Sequence, residues 1–202
     1  MVICCGDFGY WPRWQRSEKL DSIKPQGSII YWIDGNHEDH WSLAERETDE
    51  LVSNVIYKPR GSTLQLDDGR IILFMGGAHS IDKDRRRLGW DWFPQETIAQ
   101  RDYMNLTAEK ADIFITHTCP SELVHDLRQF YPEKAEEPSN IALSQMRKRY
   151  EPGLWIFGHW HNYKEGRLFN TKWYALSYPS EGSRWWMWLP ERRQYELPFD
   201  SK

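Results

Sequence analysis

Short apolar runs broken by polar, glycine- and proline-marked stretches recur along the whole chain. Residues 2–5, 28–33, 70–75, 112–116 and 154–157 are rich in Val, Ile, Phe and Trp and of strand length, so each reads as a buried strand. A hairpin is expected over 62–66 and 70–75, turning at Asp67-Asp68-Gly69, with 55–57 as a short extended piece before it. Helices are expected up to residue 23, over 41–51 with Asp39 or Ser42 as N-cap, over 95–110 behind Pro94, from Pro120 to 130, and over 140–150. Residues 131–139 read as a surface crossing, and 163–168, 172–176 and 184–189 as an antiparallel run. Strands alternating with helices and a hairpin-rich tail imply an α/β fold: a four-layer α/β/β/α sandwich of two mixed sheets with flanking helices. With 202 residues, the chain suits one domain with a real core.

Four of these runs end alike, in a small residue followed by Asp, Asn or His. They are Gly6-Asp7, Gly35-Asn36-His37-Glu38, Thr116-His117-Thr118 and Gly158-His159-Trp160-His161. Open α/β sheets gather their ligands at the carboxyl ends of their strands. Asp, Asn, His and His-x-His arriving there together describe a metal site of nitrogen and oxygen donors. Such donors suit Mn, Fe, Zn or Ni better than copper or iron–sulfur chemistry. His125, which stands alone, reads instead as a satisfied buried histidine, and His79 as structural.

Gly6-Asp7, Gly35-Asn36-His37-Glu38, His117 and Gly158-His159-x-His161 resemble four of the five motifs of the calcineurin-like metallophosphoesterase family, in order. The loop Gly77-Ala78-x-Ser80-Ile81-Asp82-Lys83 is most similar to phage and bacterial members. The resemblance implies two metals about 3.5–4 Å apart, bridged by a carboxylate and a water or hydroxide that attacks the phosphorus. Asp7 would be the bridge, Asn36, His117 and His159 would complete the second metal's shell, and His161 would serve the first. His37 would be a catalytic acid rather than a ligand, protonating the leaving oxygen, a role worth on the order of 10²–10⁴ in rate.

The family's first motif, Asp-x-His on a preceding strand, has no counterpart in the sequence. The expectation is therefore an N-terminally incomplete domain, the first strand missing, either because the natural reading frame starts upstream or because the protein is a degenerate member. One metal position keeps Asp7, Asn36, His117 and His159 and the other keeps Asp7 and His161, so one ion rather than two is expected, with phosphoesterase activity weak or absent. A non-catalytic relic of the family, binding one metal or a nucleotide, is the rival reading. Backbone left unpaired by a missing strand would meet water or a strand from a second copy, a homodimer.

Composition narrows the partners. A net charge of −4 gives no signal for a nucleic-acid backbone. A small phosphate ester or nucleotide therefore needs locally positive groups, and Lys83 or Arg85 in the mixed-charge loop after residue 75 would supply them. Tyr10, Trp11 and Trp14 flank the Asp7 loop, as cleft lining or as packing. The 12 tryptophans read mainly as core. Three cysteines, with neighbouring Cys4 and Cys5 on opposite faces of a strand, fit no disulfide framework and indicate a cytoplasmic setting. No stretch approaches a membrane span.

Overall fold

The computed structural model describes residues 1–13, 23–104, 106–128 and 136–196. The expected helix leading to residue 23 and the side chain of Trp14 lie outside them.

Two mixed sheets face each other. The four-stranded sheet runs in the order β1 (Val2–Cys4), β2 (Ile30–Trp32), β4 (Val55–Tyr57), β3 (Glu50–Val52). β1, β2 and β4 are parallel, and β3 is antiparallel to β4. The six-stranded sheet runs β5 (Thr63–Gln65), β6 (Ile71–Met75), β7 (Ile113–Thr116), β8 (Leu154–Phe157), β10 (Thr171–Ala175), β9 (Lys164–Leu168). Its centre, β6, β7, β8 and β10, is parallel, with an antiparallel strand at each edge. β7 and β8 are buried throughout, as strands covered on both faces must be.

Three apolar clusters define the layers. Ile33, Ile72, Phe74, Ile113, Ile115 and Ile156 fill the space between the sheets, joined by Ile3 and Cys5. On the far face of the larger sheet, Phe114, Trp155, Phe157 and Trp173 meet Leu123, Val124 and Leu127 of α3 (Ser121–Arg128) and Leu143 and Met146 of α4 (Pro138–Tyr150). On the far face of the smaller sheet, Trp32, Val55 and Tyr57 pack with Leu43 of α1 (His40–Glu45). The order is helix, sheet, sheet, helix. Cys4 joins the outer cluster and Cys5 the inner one, as alternation along a strand requires. Cys4, Cys5 and Cys119 are all free thiols. Among the described residues no helix is long and apolar enough to cross a membrane.

Four expectations need correction. The helix over 41–51 stops at Glu45, because the Arg46 guanidinium caps the Leu43 carbonyl and grips Asp49 at 2.8 Å, turning the chain into β3. Asp39 is its N-cap, accepting from the Ser42 amide. The helix over 95–110 is instead a 3-10 turn, Pro94–Glu96, and a short helix α2 (Gln100–Met104). The backbone is extended at Phe93 and again at Thr97, which ends the turn, and Arg60 binds the carbonyls of Gln95, Glu96 and Thr97 in that shape. Residues 184–189 form no strand among the described residues. The alternation there persists without a ladder, with Met187 and Leu189 packed on the inner core and Trp186 and Trp188 exposed. His125 is not buried: its side chain is fully exposed on α3.

Candidate metal centre

The site forms where strand ends of both sheets meet. Asp7 follows β1, Asn36 and His37 follow β2, His117 follows β7 directly, and His159 lies two residues beyond β8. Asp7, His159 and His161 are three of the six described non-glycine residues with positive φ, at 53°, 65° and 52°. A left-handed backbone costs an ordinary side chain on the order of 1–3 kcal/mol, and such residues cluster where function over-determines the backbone.

Glycines let the loops close. A Cβ on Gly35 would stand 2.1 Å from Asp7 Oδ1 and 2.8 Å from His117 Nε2. One on Gly6, itself at φ 96°, would stand 2.3 Å from His117 Nδ1. Any side chain at either position would fill the space where the donors meet. Glu38, fully buried, ties the two loops together: its carboxylate accepts the amides of Gly9 and Gly35. The fourth residue of Gly-Asn-His-Glu is thus a staple. Burial, and then the charge of Asp7, push its carboxyl up from the usual range.

Four of the expected ligands converge. Asn36 Oδ1 lies 3.1 Å from His117 Nε2 and 3.0 Å from His159 Nδ1. Asp7 Oδ1 lies 3.4 Å from His117 Nε2 and accepts the His37 amide at 3.0 Å. These are hydrogen-bonding contacts around an amide oxygen. Among the described residues, no group of three or more His, Cys, Asp or Glu side chains is drawn to metal-ligating distances. His161 is exposed, its ring 5.3 Å from that of Tyr178 and its carbonyl accepting the Ser177 hydroxyl.

The chemistry of this donor set fits a cation. His117 Nδ1 faces the Cys5 carbonyl at 2.7 Å, which can only accept, so that nitrogen carries the proton. Nε2 then points at two oxygens, Asn36 Oδ1 and Asp7 Oδ1, and something positive must sit between them: a proton or a metal ion. The same preference shows in the acidities. Burial opposes the charge on Asp7, yet the imidazoles, His117 first, hold its carboxyl well below the usual range. Burial also opposes a charge on His117, and Asp7 outweighs it, raising the imidazole above its ordinary value.

His37 is half-buried at the edge of this cluster. The Arg86 guanidinium lies against its ring, 3.2 Å from each ring nitrogen. Arg86 is itself held by Asp82 at 2.8 Å and by the Asp91 carbonyl. Burial first, offset by Asp7 and reinforced by Arg86, lowers the basicity of His37. Sequence reasoning missed Arg86, since a run of three arginines does not say which one turns inward. Lys83 and Arg85 stand on the adjoining 3-10 turn, Lys83–Arg85, the first half-buried and the second exposed. Tyr10 and Trp11 pack, against Trp32 and Phe93 respectively.

A search of curated proteins finds no match to the chain. The family model for the calcineurin-like phosphoesterases does match, over residues 1–163, a span that holds every residue of the cluster around Asn36. The chain belongs to the calcineurin-like phosphoesterase family.

Proposed function

We propose that this protein hydrolyses a small phosphomonoester or phosphodiester, a nucleotide among the candidates, with Asp7, Asn36, His117 and His159 holding a divalent ion and His161 available to a second. The observation that carries this reading is His117 Nε2 aimed at two oxygens, a geometry that calls for positive charge at one point. Family membership supplies the reaction class, metal-dependent cleavage of phosphate esters.

A bound divalent ion supplies Lewis acidity towards phosphoryl oxygens and lowers the pKa of a water to about 7. The chain's own groups do the rest. The backbone of His37 is fixed through its amide on Asp7, and its ring is held against Arg86 at the edge of the cluster; the reading gives this imidazole, once protonated, the role of donor to the leaving oxygen. Arg86 brings positive charge to this rim, and Lys83 and Arg85 on the adjoining turn are the further candidates for phosphate contact, since guanidinium and ammonium groups suit phosphate oxygens. The loop from Gly77 to Lys83 supports a place near the phage and bacterial members. Donors of oxygen and imidazole type favour Mn, Fe, Zn or Ni.

A second reading has one observation in its favour. Four donors share contacts while His161 makes its own with Tyr178 and Ser177, an arrangement that favours one filled position and slow or no turnover. Hydrolysis of p-nitrophenyl phosphate and bis(p-nitrophenyl) phosphate, by protein stripped with EDTA and then given Mn²⁺, separates the two. The catalytic reading expects hydrolysis of at least one ester that EDTA removes and Mn²⁺ restores. Mn²⁺ binding without hydrolysis of either would replace it with the one-ion reading.

A further inference from the structure

An amide ligand has a weakness that a carboxylate lacks: one of its two ends repels a cation. Only the oxygen of Asn36 can ligate, and the side chain is nearly symmetric in shape, so something must choose the end. The surroundings of Asn36 contain such a device. Its Nδ2 donates to Ser80 Oγ at 3.0 Å. The Ser80 amide donates to Glu96 Oε1 at 2.6 Å, and the Ser80 hydroxyl donates to Glu96 Oε2 at 2.8 Å. Asn36, Ser80 and Glu96 are 5%, 1% and 0% exposed, so no bulk water competes.

We propose that Ser80 and Glu96 are positioning residues that fix the direction of the Asn36 amide, turning its oxygen and not its nitrogen towards the divalent ion. The inference rests on the metal reading above and adds to it the group that enforces it. A hydroxyl has one hydrogen. Burial pushes the Glu96 carboxyl up, but the Ser80 amide and hydroxyl, one on each oxygen, favour the carboxylate, which only accepts; with its hydrogen committed there, Oγ can meet Asn36 only as an acceptor. Asn36 must then present its NH₂ to Ser80 and its oxygen to His117 and His159. Glu96 is in turn anchored by its backbone: Arg60 binds the carbonyls of Gln95 at 2.8 Å, Glu96 at 3.1 Å and Thr97 at 3.0 Å. The same guanidinium grips Asp34 at 2.7 Å, two residues before Asn36. Both ends of the relay therefore hang on one cation.

Substituting Glu96→Gln keeps the shape and reverses the relay. With its oxygen accepting the Ser80 amide, the new NH₂ donates to Oγ. The Ser80 hydroxyl then turns its hydrogen to Asn36, which answers by turning its oxygen away from the ion. Partners that orient metal ligands are typically worth 10–100-fold in metal affinity. Calorimetric titration of the stripped protein with Mn²⁺ is therefore expected to show Ser80→Ala and Glu96→Gln each weakening binding by about 10–100-fold. An Asn36→Asp background separates orientation from mere structural damage, because a carboxylate offers oxygen at both ends. There, Glu96→Gln is expected to change affinity by less than about twofold or to improve it, the former being the scatter of independent sites. Equal losses in both backgrounds, or full affinity in the two single variants, would overturn the inference while leaving the metal reading intact. Failure of the unsubstituted protein to bind Mn²⁺ would remove the metal reading and this inference with it.

Discussion

Replacing Arg60 with alanine is expected to destabilise the fold by about 3–5 kcal/mol, the usual cost of stranding one partner of a buried ion pair. The Arg60 side chain is 13% exposed and that of Asp34 is 1% exposed. Asp34 Oδ2 accepts two guanidinium hydrogen bonds, at 2.9 and 2.7 Å, and Oδ1 accepts the Tyr57 hydroxyl at 2.8 Å. A Cβ on the neighbouring Gly76 would stand 2.2 Å from the same carboxylate, so it has no room to relax. Alanine would leave that charge buried with the Tyr57 hydroxyl as its donor and His40 nearby, and would free the carbonyls of Gln95, Glu96 and Thr97. Asp34→Asn is expected to cost less, because Arg60 keeps Asp102 at 2.8 Å. Thermal unfolding in EDTA measures both, with a fall in Tm on the order of 10 °C expected for Arg60→Ala. A loss under about 1 kcal/mol, the scale of an exposed pair, would show that the network does not hold the loops together.

The second large effect concerns chemistry rather than folding. His37→Ala is expected to lower whatever turnover the protein has by about 10²–10⁴, the range for a positioned proton donor. Affinity for Mn²⁺ should stay within a few-fold, because the groups around Asn36 Oδ1 are His117 and His159, and the hydrogen bond from His37 to Asp7 comes from its backbone amide, which alanine keeps. Parallel measurements of kcat and of metal affinity test this. Turnover within about threefold of the original would remove the acid role, far below the range expected for it. Lost metal affinity would make His37 a ligand.

What the sequence made legible follows from how local each signal is. β4 and β8 fall on the expected residues, since a buried strand of three or four apolar residues announces itself without help from the rest of the chain. The loops bearing Asp7, Asn36, His117 and His159 were visible because each polar residue comes within a few positions of the end of such a run. The failures trace to distant partners. Nothing near residue 95 says that Arg60, 35 residues earlier, will bind its carbonyl and hold this stretch in a turn. Nothing in Arg85-Arg86-Arg87 says that the middle one lies on His37. The link from Asn36 to Ser80 spans 44 residues and that from Ser80 to Glu96 another 16, so the device that orients the amide has no local pattern. Residues 184–189 show the converse: alternation was real, but a strand also needs a neighbour to pair with.

The chemistry turns on a single place in the molecule, where Asp7 Oδ1, Asn36 Oδ1, His117 Nε2 and His159 Nδ1 come together. Crystals grown with Mn²⁺ and measured for anomalous scattering would show that place directly. The expected result is a peak among those four atoms, at a ligand distance of about 2.0–2.3 Å, with the Asn36 amide nitrogen still on Ser80. A map with no peak there, or with manganese bound only elsewhere, would contradict it.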